Sequence, residues 1–286
     1  MNENLKNKVC LITGATNGIG LEAAKALSKM GAEIIFIARN QEKAEKLKDD
    51  LQKESGKRPT SIIADLSLQS EVKKAADEFL SLNKPLDILL NNAGIMNRER
   101  KETADGFDEV FSVNHLAYFS LTLMLLEKMK NTGGGRIVNV ASMAYRFVNE
   151  INFEDLQSKE NYKSLKVYGQ SKLANILFTR SLASKVEDNN ITVNCLHPGY
   201  VDTGIGLNNK GFFVRLLMNL GRPFAKKTDK GAETSIYLCA SPEVKKITGE
   251  YFVDCEIEPL LGAAKSGKQA EKLWSISSEL TGLDLN

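Results

Sequence analysis

The chain has 286 residues, 42% of them hydrophobic, which suits one large α/β domain with a full core. Its 38 Lys and Arg stand against 36 Asp and Glu, and short basic runs such as Lys226-Lys227 and Lys245-Lys246 are scattered, which argues against nucleic acid as a partner. Cys10, Cys195, Cys239 and Cys255 form no C-x-x-C pair, and His115 and His197 are the only histidines; the expectation is buried free thiols, a reducing compartment and no metal.

The chain opens Met1-Asn2-Glu3-Asn4-Leu5-Lys6, with no apolar signal region, so a cytoplasmic protein is expected. Apolar runs then alternate with amphipathic stretches. Strands are expected at Val9–Ile12, Ile34–Ile37, Ser61–Ala64, Asp87–Leu90, Arg136–Val140, Ile191–Cys195 and Glu250–Val253. Helices are expected over Leu21–Met30, Gln41–Glu54 and Gln69–Leu82. The apolar stretch Leu116–Leu126 reads as too short and too polar to span a bilayer. Nearly all-apolar strands alternating with helices predict a doubly wound α/β fold: a parallel, seven-stranded, Rossmann-type sheet with helices on both faces, in one domain over residues 1–286.

In such a sheet ligands bind beyond the carboxyl ends of the strands. After the first strand comes Thr13-Gly14-Ala15-Thr16-Asn17-Gly18-Ile19-Gly20, opening a helix. Gly14 permits a tight turn, Gly18 lets the backbone approach a pyrophosphate, and Gly20 lets the helix pack on the strand. Placed between strand and helix, this turn predicts a dinucleotide site, with Thr16, Asn17 and Ile19 among its lining. The second strand ends in Ala38-Arg39-Asn40, with no acid to bind a ribose 2′-hydroxyl. Arg39 could instead fork onto a 2′-phosphate, so NADP(H) is the expected cofactor. Asp65-Leu66 closes the third strand, where Asp65 could accept from an adenine amino group or cap the next helix. Asn91-Asn92-Ala93-Gly94 closes the fourth; its small residues let a cofactor lie against backbone at Asn91, Ala93 and Gly94.

Tyr168 and Lys172 are spaced i, i+4, on one face of a helix. An ammonium near a phenol lowers its pKa, making the pair a general acid/base. Ser142 follows the fifth strand and could stabilise a developing alkoxide, or simply cap a turn. Asn114 could hold a water linking Lys172 to solvent, or simply bond backbone.

These elements, in this order, resemble the short-chain dehydrogenase/reductase family. That family is marked by a T-G-x-x-x-G-x-G turn, an N-N-A-G element, a strand-end Ser and a Y-x-x-x-K pair, matched here at Thr13–Gly20, Asn91–Gly94, Ser142, and Tyr168 with Lys172. The resemblance implies that Asn114 is the fourth catalytic position and that Lys172 holds the nicotinamide ribose. It also implies that Pro198, Gly199, Val201 and Thr203 contact the nicotinamide side. The segments Asn152–Leu156, Ser171–Phe178 and Lys272-Leu273-Trp274, with Ala38-Arg39, resemble the retinol dehydrogenase-like branch, but the apolar N-terminal anchor of its membrane-bound members has no counterpart here.

The expected reaction is interconversion of a carbonyl and an alcohol on a lipophilic small molecule. The alternatives are a catalytically silent nucleotide-sensing protein, or a reductase of a quinone or steroid ring ketone. Substrate-pocket elements are expected around 143–165 and 201–227. The apolar segment Leu207–Leu220 reads equally as a lid, a core helix or the face of a homo-oligomer.

Overall fold

A computed structural model describes residues 4–199 and 228–285. The apolar runs become parallel strands: β1 (Val9–Thr13), β2 (Glu33–Ala38), β3 (Thr60–Ile63), β4 (Ile88–Asn91), β5 (Gly135–Val140), β6 (Ile191–His197) and β7 (Tyr251–Val253). All five residues of β1 are buried, as a central strand covered on both faces requires. The strand order is β3-β2-β1-β4-β5-β6-β7-β8. Because β1 lies between β2 and β4, the chain winds outward in both directions from this point, and a crevice opens beyond the carboxyl ends of β1 and β4.

The eighth strand, β8 (Glu256–Ile257), departs from the expected seven. It returns antiparallel to β7 through Asp254 and Cys255, both with left-handed φ, 52° and 67°. Two consecutive left-handed residues make the tight hairpin turn that suits the strand twist. Cys255 therefore sits half-buried in this turn, outside any apolar run.

Helices cover both faces. On one side, α1 (Gly18–Lys29) buries Ile19, Ala23, Ala24 and Leu27, and α2 (Gln41–Ser55) buries Ala44, Leu47 and Leu51. The Asn40 side chain caps α2 by accepting from Lys43 N–H at 2.8 Å, and Gly56 ends it in the left-handed region. On the other side lie α3 (Gln69–Ser81), α4 (Glu109–Phe111), α5 (Ala117–Asn131) and α6 (Ser164–Lys185). A π-helical turn, Ser112–Leu116, joins α4 to α5. The resulting run Glu109–Asn131 is 23 residues long and contains an 18-residue window of mean hydropathy 1.3, longer than the Leu116–Leu126 stretch suggested and enough by length and composition to cross a membrane. Its apolar window is 89% buried within the fold, as for the core helix of a globular protein.

Two further helices, α7 (Thr228–Ala240) and α8 (Gly267–Thr281), complete the layers: α7 packs beside α1, and α8 lies on α6. Trp274 of α8 stacks on Phe178 of α6, with ring centroids 6.0 Å apart, and meets Phe119 of α5 edge-on. The segment Leu207–Leu220 lies outside the described residues.

Candidate active site

The crevice above β1 and β4 is built by mutual support of two loops. Thr13 Oγ1 accepts from the N–H groups of Asn92 and Ala93, each at 2.9 Å. The Asn92 amide in turn donates to the carbonyls of Thr13 and Gly14. Gly14 has φ +69°, and a Cβ there would meet Ala93 Cα at 2.9 Å. At Gly20 a Cβ would lie 2.4 Å from both Asn92 Nδ2 and the Gly14 carbonyl oxygen, so only glycine lets α1 seat this closely. Asn17 flanks the N-terminus of α1 in extended backbone, and its side chain makes no capping bond. The first-turn N–H groups, carried by Gly18, Ile19 and Gly20 beside Thr16, present the positive end of a helix with no acid in its first turn. This arrangement fits a dinucleotide pyrophosphate.

Tyr168 and Lys172 both rise from α6 on the face turned toward this crevice. Lys172 is 2% exposed. Its Nζ donates to the Val140 carbonyl at 2.8 Å and lies 5.6 Å from the Tyr168 ring centroid and 5.8 Å from that of Tyr118. Burial pulls the Lys172 ammonium down to about 7. Burial also pushes the Tyr168 phenol up to about 12, with the nearby Ser142 hydroxyl pulling the other way. The expected lowering of the phenol by Lys172 does not appear: burial sets the direction and Ser142 alone opposes it. Ser142 also caps the turn Met143–Phe147, its Oγ accepting from Ala144 N–H at 3.2 Å. The turn-cap reading of that serine is thus seen directly.

Asn114 is fully buried on the π-helical turn. Its Oδ1 accepts from Ile95 N–H at 2.8 Å, and its Nδ2 donates to Ile95 O at 2.9 Å and to Ser171 Oγ at 3.0 Å. The amide clasps the loop after β4 to α6, as in the plainer of its two readings. A Cβ on Gly94 would stand 3.4 Å from Lys172 Nζ and 3.5 Å from Asn114 Oδ1, so both polar groups border the space over Gly94.

Other expected residues divide. Arg39 follows β2 directly, exposed and with no ion pair or hydrogen bond among the described residues. Asp65 is exposed after β3; its Oδ1 accepts from Ser67 N–H at 3.0 Å, leaving the second carboxylate oxygen to solvent. Leu66 beside it is buried. Ala93 and Gly94 line the loop after β4, with the Ala93 carbonyl accepting from Tyr118 OH at 2.8 Å. The Asn91 side chain instead turns into the helix layer, donating to Thr122 Oγ1 and Asn139 Oδ1, so only its backbone is offered to the crevice. Pro198 and Gly199 follow β6, Gly199 with φ +82°. Val201 and Thr203 lie outside the described residues.

Four residues that hold the site together, Thr13, Asn92, Tyr118 and Ser171, escaped the sequence reading of roles. Thr13 and Asn92 stand inside the quoted motifs, where hydroxyl and amide beside glycine were the available signal. Ser171 opens the quoted Ser171–Phe178 segment, and Tyr118 gave no signal.

The expected pocket segment around 143–165 is pinned at several points. Gln170 Oε1 accepts from Asn152 N–H at 2.6 Å, Gln269 Oε1 from Ile151 N–H at 2.9 Å, and Arg100 Nε donates to Gln157 O at 2.9 Å. A cleft of about 530 Å³ along it is walled by Phe147–Glu154, Lys166 and Lys272, and includes neither Ser142 nor Tyr168.

The family model for short chain dehydrogenases matches residues 8–210. The chain belongs to the short-chain dehydrogenase/reductase family. Mouse retinol dehydrogenase 14 is 41% identical over 292 residues, covering 98% of this chain and 87% of its own. Mouse retinol dehydrogenase 12 is 38% identical, with 99% and 89% covered. The chloroplastic short-chain dehydrogenase TIC 32 B of Brassica napus is also 38% identical, with 96% and 89% covered. Within the family the chain is retinol dehydrogenase-like. Among solved structures, an uncharacterised protein from Mycobacterium paratuberculosis superposes with TM-score 0.78 at 27% identity, over 99% of this chain and 97% of its own. As a short-chain dehydrogenase/reductase, the protein is an oxidoreductase of alcohol and carbonyl groups that uses a nicotinamide cofactor.

Proposed function

We propose that this short-chain dehydrogenase/reductase interconverts an aldehyde or ketone and its alcohol on a lipophilic small molecule, with NADP(H) and with Tyr168 as acid/base. The observation that carries the reading is the placing of Lys172 Nζ 5.6 Å from the Tyr168 ring centroid at the edge of the glycine-lined crevice, with Ser142 near enough to pull on the phenol. The residues fit a dinucleotide: the α1 N-terminus and Gly14–Gly20 for the pyrophosphate, Asp65 and Leu66 for the adenine end, Arg39 for a 2′-phosphate, and Gly94, Pro198 and Gly199 toward the nicotinamide. Bound there, the cofactor supplies or takes up the hydride.

The chain's own groups do the rest. Ser142 Oγ donates to the substrate oxygen and stabilises the charge that develops on it. Tyr168 gives its proton to that oxygen in reduction and removes it in oxidation. A phenol pushed up to about 12 is suited to staying protonated until an alkoxide forms beside it. Lys172, pulled down to about 7, can deliver or accept a proton near neutral pH while bordering the space over Gly94. Asn114 sets the distance between the Gly94 loop and α6.

Two observations support the finer choices. The Beutenbergia cavernae protein solved with bound NADP, assigned as an NAD(P)-dependent gluconate 5-dehydrogenase, has TM-score 0.72 at 25% identity over 89% of this chain and 97% of its own. Met143 beside Ser142 and Phe147 one turn on remain 42% and 63% exposed, an apolar rim suited to an apolar substrate. The test is turnover of aldehydes and ketones of increasing apolar length with NADPH and with NADH. The reading expects kcat/KM to rise with chain length and to favour NADPH. Equal use of both cofactors, or indifference to length, would contradict it.

A further inference from the structure

The Lys172 ammonium faces two phenol rings, not one. Its Nζ lies 5.6 Å from the Tyr168 ring centroid and 5.8 Å from that of Tyr118, in the first turn of α5. The second phenol is already engaged: Tyr118 OH donates to the Ala93 carbonyl at 2.8 Å. Tyr118 is 1% exposed, and burial, with Tyr168 beside it, holds its phenol well above the ordinary value. Tyr118 is therefore a neutral donor whose proton is committed to backbone. The loop after β4 is gripped by three side chains. Thr13 Oγ1 accepts from the N–H groups of Asn92 and Ala93, and the Asn114 amide bonds both the N–H and the carbonyl of Ile95. Tyr118 takes the carbonyl between them, on the peptide that joins Ala93 to Gly94.

Tyr118 thus reaches two walls of one space. Its hydroxyl holds the Ala93–Gly94 peptide, its ring faces Lys172 Nζ, and a Cβ on Gly94 would stand 3.4 Å from that same Nζ. An aromatic face attracts a cation, most strongly where water is excluded. The hydrogen-bond acceptor for Nζ among the described residues is the Val140 carbonyl, at 2.8 Å, so the rings supply the rest of its surroundings. We propose that Tyr118 is a positioning residue for the reaction: its hydroxyl sets the Ala93–Gly94 backbone against which the cofactor lies, and its ring backs the Lys172 ammonium. Tyr118 acts through Ala93, Gly94 and Lys172, and Tyr168 remains the acid/base. The inference rests on the reading of Tyr168, Lys172 and the dinucleotide crevice given above.

Tyr118→Phe removes the hydroxyl and keeps the ring. Tyr118→Met removes the ring as well and fills the space with an unbranched chain. Tyr118→Phe should weaken NADPH binding about 5-fold, the worth of one hydrogen bond, with a smaller loss in kcat. Tyr118→Met should weaken NADPH binding at least as much and lower kcat by a further factor of about 10, as the ammonium loses its ring. NADPH affinity is read by titration, and kcat at saturating NADPH with one accepted carbonyl substrate. Unchanged NADPH affinity in Tyr118→Phe overturns the inference. So does an equal loss of affinity and kcat in that variant, which would mark a general loosening, and so does equal kcat in the two variants. The Tyr118→Phe titration decides by itself should Tyr118→Met fail to fold. Tyr168→Phe is assayed alongside. An inactive Tyr168→Phe beside a Tyr118→Phe that binds NADPH normally overturns this inference alone. Normal turnover in Tyr168→Phe overturns the site reading itself.

Discussion

At the scale of the residue, Lys172 shows why a motif and its energetics are separate matters. The i, i+4 spacing of Tyr168 and Lys172 was legible, since a helix face follows from spacing alone. The direction of the Tyr168 shift was not, because it depends on how much protein surrounds the phenol. The Lys172 value has a consequence for stability. Its ordinary pKa is 10.5 and its folded one about 7. Between these values the unfolded chain binds the proton more tightly, so folding stability rises with pH across that window, and the full penalty is felt below about 7. Lys172→Met, which cannot be charged, should therefore raise Tm relative to wild type by more at pH 6 than at pH 9. Thermal melts at the two values check this, and a difference of the opposite sign would show that burial does not dominate at Lys172. Arg39 stands free after β2, and Arg39→Ala should weaken NADPH binding by about 10- to 100-fold, as for loss of charge-assisted hydrogen bonds, with NADH affinity unchanged. Titration of both cofactors reads this directly.

At the scale of the element, the glycine turn is the part most fully written in the chain. Its glycines, its place after an apolar strand and the following helical pattern are all local. Gly20→Ala would drive a Cβ against Asn92 Nδ2 and the Gly14 carbonyl. The expected outcome is a loss of about 1–3 kcal/mol in stability together with weakened dinucleotide binding, read by melts and titration of one preparation. Unchanged binding would mean that α1 need not seat closely on the loop after β4. Other elements were not legible. The π-helical turn that carries Asn114 and His115 has no sequence signature; such turns occur where packing on both sides fixes a helix, often at functional sites. The strand β8 is two exposed residues long, too short for any apolar pattern, and its turn uses Asp254 and Cys255 where glycine or asparagine would have signalled a hairpin.

At the scale of the whole molecule, the seven parallel strands followed from the alternation of apolar runs and amphipathic stretches, with ends displaced by a residue or two. The strand order places β1 beside β4, and this brings residues separated by 79 positions, Thr13 and Asn92, into one hydrogen-bonded floor. Ser142, Tyr168 and Lys172 reach the same crevice from β5 and α6, while α8 backs α6 from the far end of the chain. The sequence named most residues of the site but not the contacts between distant elements, since Asn114 with Ile95 and Ser171, or His115 with Ser277, exist only once the layers have packed.

The central claim is that the Tyr168 hydroxyl moves the proton that accompanies hydride transfer. Tyr168→Phe removes that hydroxyl and keeps the ring, so the crevice and its packing stay in place. The most direct test measures NADPH affinity and turnover of this variant with a carbonyl substrate whose chemical step limits the rate. The account predicts near-normal NADPH binding with turnover reduced by at least about 10²- to 10⁴-fold, the usual contribution of a general acid. Near-normal turnover with NADPH bound as tightly as in wild type would contradict it.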